Sequence, residues 1–148
     1  MALPPRDTKE MRLMRMKRTL LLTMALLVVS GVLAGCGGRS TLKIGWRGSD
    51  ARRRKWANYV SFSGVERASF RAQAGEVIRL DYDVEVEKGS LTIQLLDPDG
   101  EAAWEKTFEE GDADEVVVRV SQNGRYRLHI EGNETGGSYD VSWEIAGD

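Results

Sequence analysis

Cysteine occurs once in the 148 residues, at position 36, and histidine once, at position 129. A single cysteine excludes a disulfide within the chain, so any folded body must be held by its apolar core alone. A single histidine leaves a Ser–His–Asp triad one possible centre, His129, with Ser121 or Ser142 as the serine to propose. Neither serine sits in a nucleophile-elbow sequence. Alternation with Leu128 and Ile130 turns His129 away from a core, as a surface residue on a strand. There is no glycine-rich phosphate loop; glycines after position 38 stand mostly at turns. The longest apolar run, Leu20 to Leu33, falls short of the roughly 20 residues that span a bilayer comfortably. After Cys36 no stretch sustains a 3.6-residue period, which excludes a helical body.

What is present begins with an address. Arg12, Arg15, Lys17 and Arg18 form a positive segment, the apolar run follows, and small residues then precede Cys36. Charge, apolar run and small residues in that order read as a secretory signal. Asp7 and Glu10 are unusual in such a segment, which makes Met11, Met14 and Met16 candidates for the true start. Leu33-Ala34-Gly35-Cys36 resembles the lipobox of bacterial lipoproteins at all four positions. The resemblance covers residues 1–36 and implies cleavage before Cys36, with a diacylglyceryl group on its sulfur. Leu33, Ala34 and Gly35 would be the signal-peptidase recognition residues. A thiol is nucleophilic enough for thioether formation, and two acyl chains give stable anchoring where one is marginal. The expected location is the extracytoplasmic face of a cell membrane. The alternatives are a plain signal peptide, a retained transmembrane helix, or a buried structural cysteine.

The chain from Cys36 onward is long enough for one small domain. Six of the 21 basic and two of the 23 acidic residues lie before Cys36, which leaves 15 and 21. They are unevenly spread. Between Gly37 and Ser61 stand seven basic residues and one acid, Asp50; from Phe62 onward there are eight basic and 20 acidic. The expected organisation is a helical signal peptide at 1–35, then an anchor, short flexible tether and basic collar at 36–61 with a possible first strand at Leu42–Trp46, then a body at 62–148. Arg52, Arg53, Arg54 and Lys55 are the candidates for contact with anionic headgroups. The same run resembles a nucleic-acid patch in composition, but an exported protein with an acidic body gives it no such partner. Trp56, Tyr59 and Phe62 suit packing against the body better than a headgroup interface.

From Phe62 the hydrophobic pattern has period two. Ile78, Leu80, Tyr82, Val84 and Val86 alternate with Arg79, Asp81, Asp83 and Glu85. Leu91, Ile93 and Leu95 follow, then Val116, Val118 and Val120, then Tyr126, Leu128 and Ile130, then Tyr139, Val141, Trp143 and Ile145. Such alternation marks strands with one face in a core and one in water. Asp97-Pro98-Asp99-Gly100 and Asn123-Gly124 are turn sequences, and Lys88-Gly89 and Gly132–Gly137 mark two more. Seven or eight strands separated by turns point to an all-β fold, an antiparallel β-sandwich.

Ala74-Gly75-Glu76, the run from Leu91 to Gly100, Asn123 to Leu128, and Gly137 to Val141 together resemble the bacterial pre-peptidase C-terminal domain. That family is a jelly-roll-like sandwich attached to secreted enzymes, and the match spans roughly Phe62 to Ile145. The resemblance implies a non-catalytic accessory or binding module. No cofactor or metal is expected. The acidic runs Asp81–Glu87, Asp97–Asp99 and Asp112–Glu115 carry oxygen ligands that suit Ca²⁺, but none has the spacing of a calcium loop. Arg79, Arg119 and Arg127 are the expected cross-strand partners for the acidic ladder. Asn133-Glu134-Thr135 matches a glycosylation pattern and reads here as turn composition. The reading is a membrane-anchored binding or scaffolding module with an unknown envelope protein or glycan as partner. The alternatives are a carbohydrate or cell-wall-binding module and a small hydrolase built on His129.

Overall fold

The computed structural model describes residues 41–147. The expected signal peptide and lipobox, with Cys36, lie outside the described residues. Seven strands run in order: β1 (Leu42–Ile44), β2 (Arg47–Ala51), β3 (Arg54–Ala72), β4 (Val77–Leu96), β5 (Ala102–Phe108), β6 (Asp112–Arg119) and β7 (Gly124–Ala146). All pairings are antiparallel, and no helix occurs among the described residues.

Three strands organise the rest. β3, β4 and β7 hold 19, 20 and 23 residues, several times the usual strand length. Each is interrupted midway by register shifts, so its two halves enter different layers. One layer has the order β2, first half of β3, second half of β7, first half of β4, β6. The other has the order second half of β3, first half of β7, second half of β4, β5. β1 pairs with Ser61–Ser63 at the bend itself.

Alternation decides which residues lie between the layers. On β4, Ile78, Leu80, Tyr82 and Val84 are buried while Arg79, Asp81, Asp83 and Glu85 are exposed. Leu91 and Ile93 from the far half of β4 join the same core as Leu80 and Val84, together with Leu128, Ile130, Val141 and Trp143. Each fully buried large apolar side chain contributes about 1.5–3 kcal/mol. Ala72, Ile78, Leu95, Val118, Val120 and Tyr126 form a second cluster. The bends are close-packed. Gly137 has a φ of 134°, and a Cβ there would run into the backbone oxygen of Glu85. Thr135, wholly buried beside it, and Tyr59 face each other without a hydrogen bond of good geometry. Burial pushes the Tyr59 phenol up to about 12, with the Thr135 hydroxyl opposing the shift.

Two expectations need correction. The segments at 78–86 and 91–95 are one bent strand, not two strands joined by a turn at Lys88-Gly89. The pairing with β7 continues across that point through Lys88↔Gly136 and Ser90↔Asn133. The division at residue 62 also falls inside β3, because Ala57 and Tyr59 already belong to the core. The sandwich begins at β1. The expected first strand is present at Leu42–Ile44, and Trp46 stacks on Tyr59 at 5.6 Å between ring centroids.

Candidate functional site

Polar side chains dominate the outward face of the first layer. Register fixes it in rows. Arg54, Ser142, Asp81 and Glu115 stand side by side across β3, β7, β4 and β6. The next row is Trp56, Asp140 and Asp83, and the next is Asn58, Ser138 and Glu85. Adjacent strands lie about 4.8 Å apart, so each row brings its side chains into lateral contact range. Trp56 lies on this face because Lys55, Ala57 and Tyr59 take the inward positions. It keeps 36% of its surface exposed, although it is the bulkiest side chain on the strand.

Two adjoining shallow depressions share Asp83 and Asp140. One, of about 340 Å³, is lined by Arg54, Asp81, Tyr82, Asp83, Asp114, Asp140 and Ser142. The other, of about 210 Å³, is lined by Trp56, Asn58, Asp83, Glu85, Ser138 and Asp140 over the backbone of Ala57 and Tyr139. Arg54 forks onto Asp140 through both Nε, at 2.8 Å, and Nη2. That bond raises the guanidinium further above its ordinary value. Ser138 donates its hydroxyl to Glu85 at 3.2 Å. Asp81 and Asp83 have no side-chain hydrogen bond or ion pair among the described residues. The groove is therefore an open, acidic, acceptor-rich trough with one indole at its side.

A wider concavity follows the β5–β6 connection from Lys106 to Asp112. A single continuous loop shapes it, and its charged ends are already engaged. Lys106 donates to Asp112 at 2.6 Å and to the Tyr82 hydroxyl at 3.0 Å. The ammonium holds the Asp112 carboxyl below its usual range.

The other residues singled out in the sequence are placed as follows. Arg52 and Arg53 are exposed in the turn between β2 and β3. Arg54 is spent on Asp140. Lys55 is 4% exposed, so its place among the headgroup contacts has to be corrected. Its ammonium reaches Asp50 at 2.8 Å on the neighbouring strand and Glu66 at 3.4 Å in the other half of β3. Lys43 closes the cluster on Glu66 at 2.5 Å. Of the three arginines expected opposite the acidic ladder, Arg79 meets Glu115 at 3.8 Å. Arg127 lies in the other layer and donates to the Asp97 backbone oxygen at 3.3 Å. Arg54, which no local pattern announces, pairs instead with Asp140 on the strand beside the ladder.

Among the described residues, His129 and Ser142 are not brought together. His129 faces outward from the second layer between Arg67 and Gln94, whereas Ser142 faces outward from the first. Partial burial, then Arg67 and Arg127, hold the imidazole below its ordinary value. Among the described residues no three His, Cys, Asp or Glu side chains converge to hold a metal ion. Asp97 is used by its own turn, accepting from the Gly100 and Glu101 amides at 2.8 and 2.9 Å.

No protein-family model matches the chain, and no curated protein matches it. Solved structures do. A CBM4 structure is similar at 10% identity, with a TM-score of 0.46 over 78% of this chain and 83% of that one. TmCBM61 in complex with beta-1,4-galactotriose is 18% identical, with a TM-score of 0.43 over 70% and 89%. The carbohydrate binding module CBM6cm-2 from Cellvibrio mixtus lichenase 5A in complex with cellotriose is 14% identical, with a TM-score of 0.38 over 74% and 98%. At this level of identity and superposition the likeness carries no weight for ligand or activity.

Proposed function

We propose that this chain is a bacterial lipoprotein, anchored through a diacylglyceryl thioether on Cys36, whose sandwich is a non-catalytic binding module at the cell envelope. The ligand lies across the trough beside Trp56 and is a neutral or amine-bearing glycan. The observation that carries this reading is Trp56 itself, exposed in a row with Asp140 and Asp83 and next to Asn58, Ser138 and Glu85. A sugar ring offers an apolar C–H face to an indole and a rim of hydroxyl donors to carboxylate acceptors. The acidic lining argues against polyanionic wall polymers, because like charges brought together are costly.

Affinity electrophoresis through gels containing neutral, amine-bearing or anionic polysaccharides tests the reading. Retardation by one of the first two, and its loss in Trp56→Ala with the far-ultraviolet spectrum unchanged, is the expected result. An aromatic anchor of this kind contributes about 2 kcal/mol, or roughly 30-fold in Kd. Unaltered migration in every gel, or equal retardation of Trp56→Ala, removes the glycan reading.

A further inference from the structure

Three of the exposed large apolar side chains gather at one corner. Leu42 is 52%, Ile44 49% and Val60 64% exposed. Leu42 pairs with Ser63 and Ile44 with Ser61, so both occupy the outward face of β1. The register shift after Tyr59 leaves Val60 and Ser61 both turned outward, which adds Val60 to the same surface. Gly45, with a φ of 65°, closes the corner against Val60; a Cβ there would lie 2.6 Å from Val60 Cγ2. Along the same edge of the sheet, Arg47, Arg52 and Arg53 are exposed, with no ion pair to any described residue. The one acid on β2, Asp50, is held by Lys55.

Chain length ties this corner to the anchor. Cys36 and Leu42 are six Cα steps apart, so they can be separated by at most about 20 Å. A headgroup layer takes up about 5–8 Å of that, since the full bilayer exceeds its hydrocarbon core by about 10–15 Å. β1 is therefore the part of the body that a lipidated Cys36 holds at the membrane surface. Tethering at that range supplies a high effective concentration, so a small patch suffices.

We propose that the β1–β2 edge docks on an anionic bilayer, with Leu42, Ile44 and Val60 entering the headgroup layer and Arg47, Arg52 and Arg53 meeting lipid phosphates. The proposal rests on the lipoprotein reading. It identifies the membrane-facing edge and explains three exposed apolar side chains that the core does not use.

With its only cysteine blocked by lipid, the protein accepts a single new thiol for labelling. Ile44→Cys, Val60→Cys and, as a control on the far edge, Val117→Cys carry an environment-sensitive fluorophore in full-length protein reconstituted in vesicles of phosphatidylcholine and phosphatidylglycerol. Emission from positions 44 and 60 is expected to shift to the blue and to be quenched by nitroxide-bearing lipids, while position 117 is unaffected. Labels at 44 and 60 as wet as at 117, in protein that floats with the vesicles, overturn the docking edge and leave the anchor standing. Blue-shifted labels that lipid nitroxides do not quench assign the patch to a second copy or another protein, and also overturn it. Protein that does not float, with a free Cys36 thiol taking up label, sinks the anchor and the docking edge together.

Discussion

Lys55 allows a sharp test of how the two halves of β3 are held together. Its ammonium is buried and touches one exposed carboxylate, Asp50 with 68% of its side-chain surface accessible, and one enclosed carboxylate, Glu66 with 18%. Exposed pairs are worth about 0.2–1 kcal/mol, whereas a buried charge stripped of its partner costs about 3–5 kcal/mol. Glu66→Gln keeps the shape but removes the inner charge, leaving Lys55 with only the exposed Asp50 and Lys43 with no carboxylate. The expected loss is about 2 kcal/mol, between those limits. Lys55→Met acts differently. It removes the buried charge, Glu66 keeps Lys43 at 2.5 Å, and Asp50 returns to water. The expected change is within about 1 kcal/mol, and in the double variant it relieves part of the Glu66→Gln loss. Urea unfolding of the purified protein, with m unchanged, reads both. At an m-value of about 1–3 kcal/mol/M, Glu66→Gln lowers the midpoint by about 1 M. A Lys55→Met loss larger than that of Glu66→Gln, or additive losses in the double variant, would refute the reasoning.

Gly132→Ala places a Cβ against the Phe62 ring and 2.8 Å from the Phe62 backbone oxygen, at a buried bend. It should lower stability by about 1–3 kcal/mol in the same assay, and an unchanged midpoint would count against the close packing of that bend. His129 gives a pH dependence whose sign follows from its lowered pKa. Between the ordinary value of 6.5 and the lower folded value, the unfolded chain binds more protons. The His129 contribution is present above pH 6.5, is lost as pH falls through the folded pKa, and changes no further below it. His129→Gln should flatten that limb of a stability–pH curve, and an unaltered slope would show that His129 does not carry it. The Trp56→Ala gel experiment stands beside these.

The alternation of Ile78 through Val86 and of Tyr139 through Ile145 made the fold class legible, because period two translates directly into one buried face. The bends were not legible. Lys88-Gly89 and Gly132–Gly137 have the composition of turns, and only pairing between distant segments shows the strands running on through them. The inward position of Lys55 was readable in principle, since Lys55, Ala57 and Tyr59 share one parity. Reading Arg52–Lys55 as a charge run concealed it. The trough was half legible. The same parity turns Trp56 outward, but its neighbours Asp140 and Asp83 come from strands far along the chain, and long-range register leaves no local signal.

The central claim is that a lipid on one sulfur holds this sandwich at a membrane. Mass spectrometry of the N-terminal peptide from protein purified out of cell membranes tests it most directly. The account predicts a chain beginning at Cys36 and carrying a diacylglyceryl adduct. A chain that retains residues 1–35, or begins at Cys36 with an unmodified thiol, contradicts it.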